Sequence, residues 1–201
     1  MDLELTLKVN KLLYSQNLAD VKLGFKIAET NPEVDFDIAF GMVDIDTCNS
    51  DKLKENYKIN KYMLTQNIFE ALTGKNPSSN TSEGNIPVDC VEWEDIELFF
   101  KELNKFNKDK SRPFRLPTLE EWCYAAEGAQ NMDKDENNKP KPDIYPGFND
   151  KEKATEYGWL YDNSKGVPHS VGQLKPNKMG LYDMCGLYYE LVTDEKYIFD
   201  K

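Results

Sequence analysis

The chain is poor in the residues that build most metal and thiol chemistry. One histidine, His169, stands in 201 residues, which excludes a multi-histidine metal site made by this chain. Alone in a turn-rich stretch, it reads as a surface or hydrogen-bonding side chain. The four cysteines, Cys48, Cys90, Cys123 and Cys185, lie more than 30 residues apart. That spacing excludes Cys-x-x-Cys motifs and does not describe a disulfide scaffold; reduced, packed thiols are expected. No apolar run approaches the ~20 residues of a membrane-spanning helix. The acidic opening Met1-Asp2-Leu3-Glu4-Leu5 is unlike a signal peptide. Basic residues are outnumbered 25 to 36, for a net charge of −11, and no Lys/Arg cluster interleaves with aromatics. A nucleic-acid backbone is therefore excluded as the main partner. No Gly-x-Ser-x-Gly, His-Glu-x-x-His or phosphate-cradling glycine loop occurs.

What is present is globular. Ten Phe, eleven Tyr and three Trp argue against disorder, which is aromatic-poor. The length suits one sizeable domain, or one domain with a short extension. Residues 2–27 alternate ambiguously, as a strand running into a helix or as helix throughout, and residues 1–30 are taken as an attachment element outside the core. Asn31-Pro32-Glu33 is a turn. Phe36–Ile45 is expected as a strand broken at Gly41, with 57–63 as its partner. Thr65 caps a short helix carrying Ile68, Phe69 and Leu72, closed by Gly74. Ile86-Pro87-Val88 reads as extended. A second helix follows, with Ile96, Phe99, Phe100, Leu103 and Phe106 as its apolar stripe and Trp93 extending it by a turn. Residues 131–150 read as a polar insertion with a turn near Ile144-Tyr145-Pro146. Glycines beside large apolar side chains in 168–190 suggest a tightly packed irregular region.

The organising stretch is Phe114–Ala129. Pro117 pushes Leu116 out of the helical region. Thr118 and Glu121 have capping-box spacing, Trp122, Ala125 and Ala126 share one helix face, and Gly128 stops the helix. Glu120 and Glu121 are neighbours that do not face each other, so capping and the helix dipole explain them better than acid/base catalysis.

Several motifs stand in a telling order: Thr65-Gln66, Gly74-Lys75-Asn76-Pro77-Ser78, Pro87-Val88 through Trp93, Arg115-Leu116-Pro117-Thr118 with Glu121-Trp122, Val171-Gly172, Pro176-Asn177, and Gly180 through Met184 with Gly186. Together they resemble the formylglycine-generating enzyme (sulfatase-modifying factor) family. The resemblance implies an α+β, irregular C-type lectin-like fold of short helices, small antiparallel sheets and long loops over residues 31–201. Its motif residues here are Arg115, Thr118, Glu121, Trp122, Asn177 and Asp183. The family's oxidase uses a close pair of cysteines to bind copper. The last cysteine here, Cys185, precedes Glu190, so copper is not expected. The family's structural calcium would fall to Asn163 and Glu190, with Asp183 and Asp194 as further oxygen donors. Against this, the family's motif Asn is Leu187 here, its two tryptophans are Tyr189 and Leu191, and an acidic residue of some relatives is Gly172.

Two functions stay open. One is a non-catalytic binding or structural module, cytoplasmic or virion-associated, recognising a protein or glycan ligand or a receptor. Phage and diversity-generating-retroelement target proteins use similar domains in that way. The other is a fragment of a formylglycine-generating oxidase whose cysteine segment lies beyond Lys201.

Overall fold

A computed structural model describes residues 1–129, 133–141 and 143–193. The chain divides into two units, one from Met1–Met42 and Leu64–Arg115, the other from Val43–Met63 and Leu116 onward.

The first unit is helical. Helix α1 (Leu3–Leu13) starts where the Asp2 carboxylate accepts from Leu5 N, and α2 (Leu18–Thr30) where Asn17 accepts from Ala19 N. These caps satisfy N–H groups that have no partner within their own helix. Of the two readings of residues 2–27, helix throughout is the closer, broken at the turn between the caps. Their apolar faces are part of the core rather than an attachment: Val9, Leu13, Val21 and Phe25 are buried with Phe36, Phe40, Phe69, Phe99 and Leu103. Phe36 stacks on Phe106 at 4.8 Å, and Phe69 on Phe99 at 5.6 Å.

The strand expected over Phe36–Ile45 begins as a helix instead. Asp35 caps α3 (Phe36–Ala39) by accepting from Ile38 N at 3.2 Å. Buried Phe36, Ala39 and Phe40 then follow helical spacing. Helix α4 (Gln66–Thr73) runs from Thr65 to a left-handed Gly74, as the sequence signals. The extended 86–88 piece pairs beside its start, with Gln66 N donating to Ile86 O and Val88 N to Leu64 O. Helix α5 (Trp93–Leu103) buries Phe99 and Leu103, but Trp93 is 57% exposed. It occupies the first helical position, outside the stripe it was expected to extend.

The second unit has little regular structure. Strand β1 (Met42–Ile45) pairs with β2 (Tyr57–Asn60). Helix α6 (Leu119–Ala126) packs its Tyr124, Ala125 and Ala126 with Ile45, Leu181 and Met184, and Trp122 joins them half-buried. The 131–150 stretch holds a hairpin, β3 (Asp133–Lys134) antiparallel to β4 (Pro140–Lys141), and the expected turn, closed by paired backbone bonds between Tyr145 and Phe148. Short helices α7 (Ala154–Tyr157) and α8 (Tyr161–Ser164) follow. Among the described residues no helix is long and apolar enough to cross a membrane.

If α1 is core, its two faces must respond differently. Leu13→Ala, at a fully buried site, is expected to lower unfolding free energy by about 2–5 kcal/mol. Leu7→Ala, at an exposed site of the same helix, should change it by less than about 0.5 kcal/mol. Urea unfolding of both variants checks this.

Candidate functional site

The residues the sequence singled out gather around α6 in the second unit. The capping box is formed: Thr118 Oγ1 accepts from Glu121 N at 3.1 Å, and Glu121 Oε2 accepts from Thr118 N at 2.9 Å. Both residues are buried, so the box satisfies groups that water cannot reach. Arg115 lies outside this buried set and is exposed. At the helix's other end, Asn177 Nδ2 donates to the carbonyls of Ala125 (2.9 Å) and Ala126 (3.2 Å). Its Oδ1 accepts from Met179 N and Leu181 N. One amide thus ties two of the carbonyls left free at a helix C-terminus to the turn that follows Pro176.

Asp183 is 1% exposed and adopts φ +60°. Its Oδ2 accepts from Gly172 N at 2.7 Å, while its Oδ1 has no hydrogen-bond partner among the described residues. Burial pushes the carboxyl up, against the pull of the Gly172 hydrogen bond. Tyr62 is raised as well, first by burial and then by the Asp183 charge. Gly172 must be glycine: φ is +72°, and a Cβ there would sit 2.5 Å from the Tyr62 ring. The acidic side chain that some relatives carry here would collide with that ring.

Beyond Asp183 the chain passes close against residues 158–160. Leu187 N donates to Trp159 O at 2.9 Å. A Cβ at Gly158 would lie 1.9 Å from Cys185 O, so only a glycine permits this backbone-to-backbone approach. Trp159 stacks on His169 with ring centroids 3.7 Å apart. The Trp159 Nε1 and His169 Nε2 atoms are buried without hydrogen-bond partners among the described residues. No local pattern signals that stack, which depends on which loops meet.

Of the two metal candidates, Asn163 acts as a cap. Its Oδ1 accepts from Leu160 N at 2.7 Å, and its Nδ2 donates to Gly158 O at 3.1 Å. Glu190 Oε1 accepts from Trp122 Nε1 at 2.9 Å at an exposed position. Asp194 lies outside the described residues. Among the described residues no three His, Cys, Asp or Glu side chains are grouped so as to hold a metal ion. For copper, the thiolate is the ligand. Burial raises the Cys123 and Cys185 thiols.

After Glu190 the backbone returns to the start of α6. Thr193 N donates to Pro117 O at 2.9 Å, and Thr193 forms a parallel bridge with Thr118. Tyr189 just before these anchors and Leu191 and Val192 between them are exposed, as is Leu119 on the first turn of α6.

A short capped helix, small sheets and loops fixed by side-chain hydrogen bonds define a C-type lectin-like domain of α+β class. The chain belongs to the sulfatase-modifying factor enzyme 1-like domain family, which it matches over residues 34–197. It is 29% identical over 167 residues to the chaperone protein LppX of Paenibacillus barcinonensis, a match covering 65% of this chain and 59% of that protein. The chain therefore spans less than two thirds of that relative's length. In fold it is similar to Treponema denticola variable protein 1, with TM-score 0.56 and 23% identity over 75% of this chain and 71% of the other. A weaker likeness, TM-score 0.43 and 16% identity, is to PvdO from Pseudomonas aeruginosa, covering 76% and 66%.

Two outcomes are expected from this geometry. Leu187 adopts φ +64°, a region in which a leucine costs roughly 1–2 kcal/mol and asparagine is better tolerated. Leu187→Asn, which restores the residue of the family's motif, should stabilise the protein by up to about 1 kcal/mol in thermal unfolding.

The second concerns pH. Desolvation pushes the Glu190 carboxyl up to about 7; the Trp122 hydrogen bond opposes the rise and the Asp183 charge adds to it. By surface area Glu190 is exposed although protein atoms crowd its carboxyl, so solvent screening trims the shift and its direction carries the argument. The folded chain holds this proton more tightly than the unfolded chain. The contribution is thus full below the ordinary glutamate range and is lost as pH rises through about 7. Glu190→Gln should lose less stability than wild type between about pH 5 and about pH 8. Urea midpoints at both pH values decide it.

Proposed function

We propose that this chain is a non-catalytic recognition module that binds a protein ligand through the surface formed by Tyr189, Leu191, Val192 and Leu119. The observation that carries this is an exposed segment after Leu187 that is held in place at two points. Trp122 Nε1 donates to Glu190 and Thr193 N donates to Pro117 O, so the exposed Tyr189, Leu191 and Val192 sit on a fixed backbone. Exposed tyrosine and aliphatic side chains on an anchored backbone lose little conformational freedom on binding, which favours affinity. Tyrosine is also among the residues enriched at protein interfaces.

A relative named as a chaperone protein favours a polypeptide over a glycan as the ligand.

The test uses the immobilised chain and proteins from its own source. A partner retained by wild type should lose at least tenfold in affinity for Tyr189→Ala/Leu191→Ala, with the melting temperature unchanged. Equal affinity removes this surface from the reading. Catalytic conversion of a Cys-x-Pro-x-Arg peptide with copper and oxygen would instead establish the oxidase.

A further inference from the structure

The first unit contains a polar cleft that no role described so far uses. It has a volume of about 550 Å³ and lies among the α1–α2 turn, the start of α4 and the loop carrying Thr81 and Ser82. Some of its polar groups are committed to the fold. Gln66 Nε2 donates to Asn80 O at 2.8 Å, and its Oε1 accepts from Asn76 Nδ2 at 2.9 Å.

Asn67 is different. Its Nδ2 donates to the carbonyls of Ser15 (3.2 Å) and Gln16 (2.9 Å). Those bonds fix the amide's orientation and leave Oδ1 without a hydrogen-bond partner among the described residues. The residue is only 6% exposed, yet Oδ1 itself keeps access to the cleft. Three positions further along α4, the half-buried Glu70 lines the same cleft. Its carboxylate makes no ion pair or hydrogen bond among the described residues. Positions i and i+3 lie on one helix face, so a fixed amide oxygen and a carboxylate stand side by side.

This donor set selects a cation. The N–H groups that would draw an anion to the two helix starts are taken: Gln66 N by Ile86 O, Asn67 N by Gly84 O, and Ala19 N by Asn17 Oδ1. No aromatic ring lines the cleft, so a sugar would lack a stacking face. The net charge of −11 favours approach of positive groups. We propose that the cleft binds an ammonium or guanidinium group, with Asn67 Oδ1 and the Glu70 carboxylate as its principal acceptors. A guanidinium suits them best, because its planar fork of donors can reach an amide oxygen and a carboxylate together. Gln16, Thr81 and Ser82 supply further acceptors at the cleft. The group can arrive as a free amine or as a basic side chain of a peptide, and the site is independent of the Tyr189–Val192 surface.

Isothermal titration of the whole chain tests this with N-acetylarginine amide, free arginine and the uncharged isostere N-acetylcitrulline amide. Saturable binding is expected for the guanidinium compounds, at least tenfold weaker for the citrulline compound, and weakened by salt. Glu70→Gln should lower the affinity at least tenfold with an unchanged melting temperature. In wild type, the Asn67 side-chain amide resonances should shift on titration, a readout that needs no variant to fold. Tighter binding of the capped arginine assigns the source to a peptide, and equal or tighter binding of free arginine assigns it to a small molecule. No saturable binding below ~10 mM, where affinity falls under about 3 kcal/mol, equal affinity for the citrulline compound, or indifference to Glu70→Gln would each overturn the site.

Discussion

The second unit depends on one side-chain amide. A loop-rich region must still pair its buried backbone groups, and it lacks the ladders that do so in a regular sheet. Asn177 does this work for the end of α6, accepting from two N–H groups and donating to two carbonyls. The capping box of Thr118 and Glu121 does the same at the helix start. With both ends tied, an eight-residue helix, far too short to persist alone in water, becomes the fixed reference on which Trp122 meets Glu190 and Thr193 meets Pro117.

How far this was legible in the sequence follows from the range of each interaction. Local chemistry was readable: Thr118 with Glu121, Thr65 with Gly74, and the Phe99–Leu103 stripe each depend on residues a turn or two apart. Motif order carried the family and the fold class. Phe36–Ile45 misled because two bulky positions and a glycine imitate a broken strand, whereas the Asp35 cap and the 36–39–40 spacing favour a helix. Residues 1–30 looked peripheral because their partners, Phe36, Phe69 and Phe99, are distant in sequence. Nothing local marks Glu190 as a partner of an indole. That role arises only when Trp122 and Glu190, 68 residues apart, come together.

Asp183 shows what the irregular backbone demands. Its left-handed conformation and its bond to Gly172 N hold together two glycine-rich turns, yet one carboxylate oxygen remains unpaired and Tyr62 feels the charge. A buried acid of this kind works against stability at high pH, as Glu190 does beside it.

The helices α1 and α2 bear on where the domain can be cut. The family correspondence starts at residue 34, but Val9, Leu13, Val21 and Phe25 precede it and fill the interior of the first unit. A piece of this protein trimmed to the shared homology would bare the phenylalanine rings those four side chains cover, and would clump rather than report on the domain's function. In this chain the folded core reaches upstream of the evolutionary boundary.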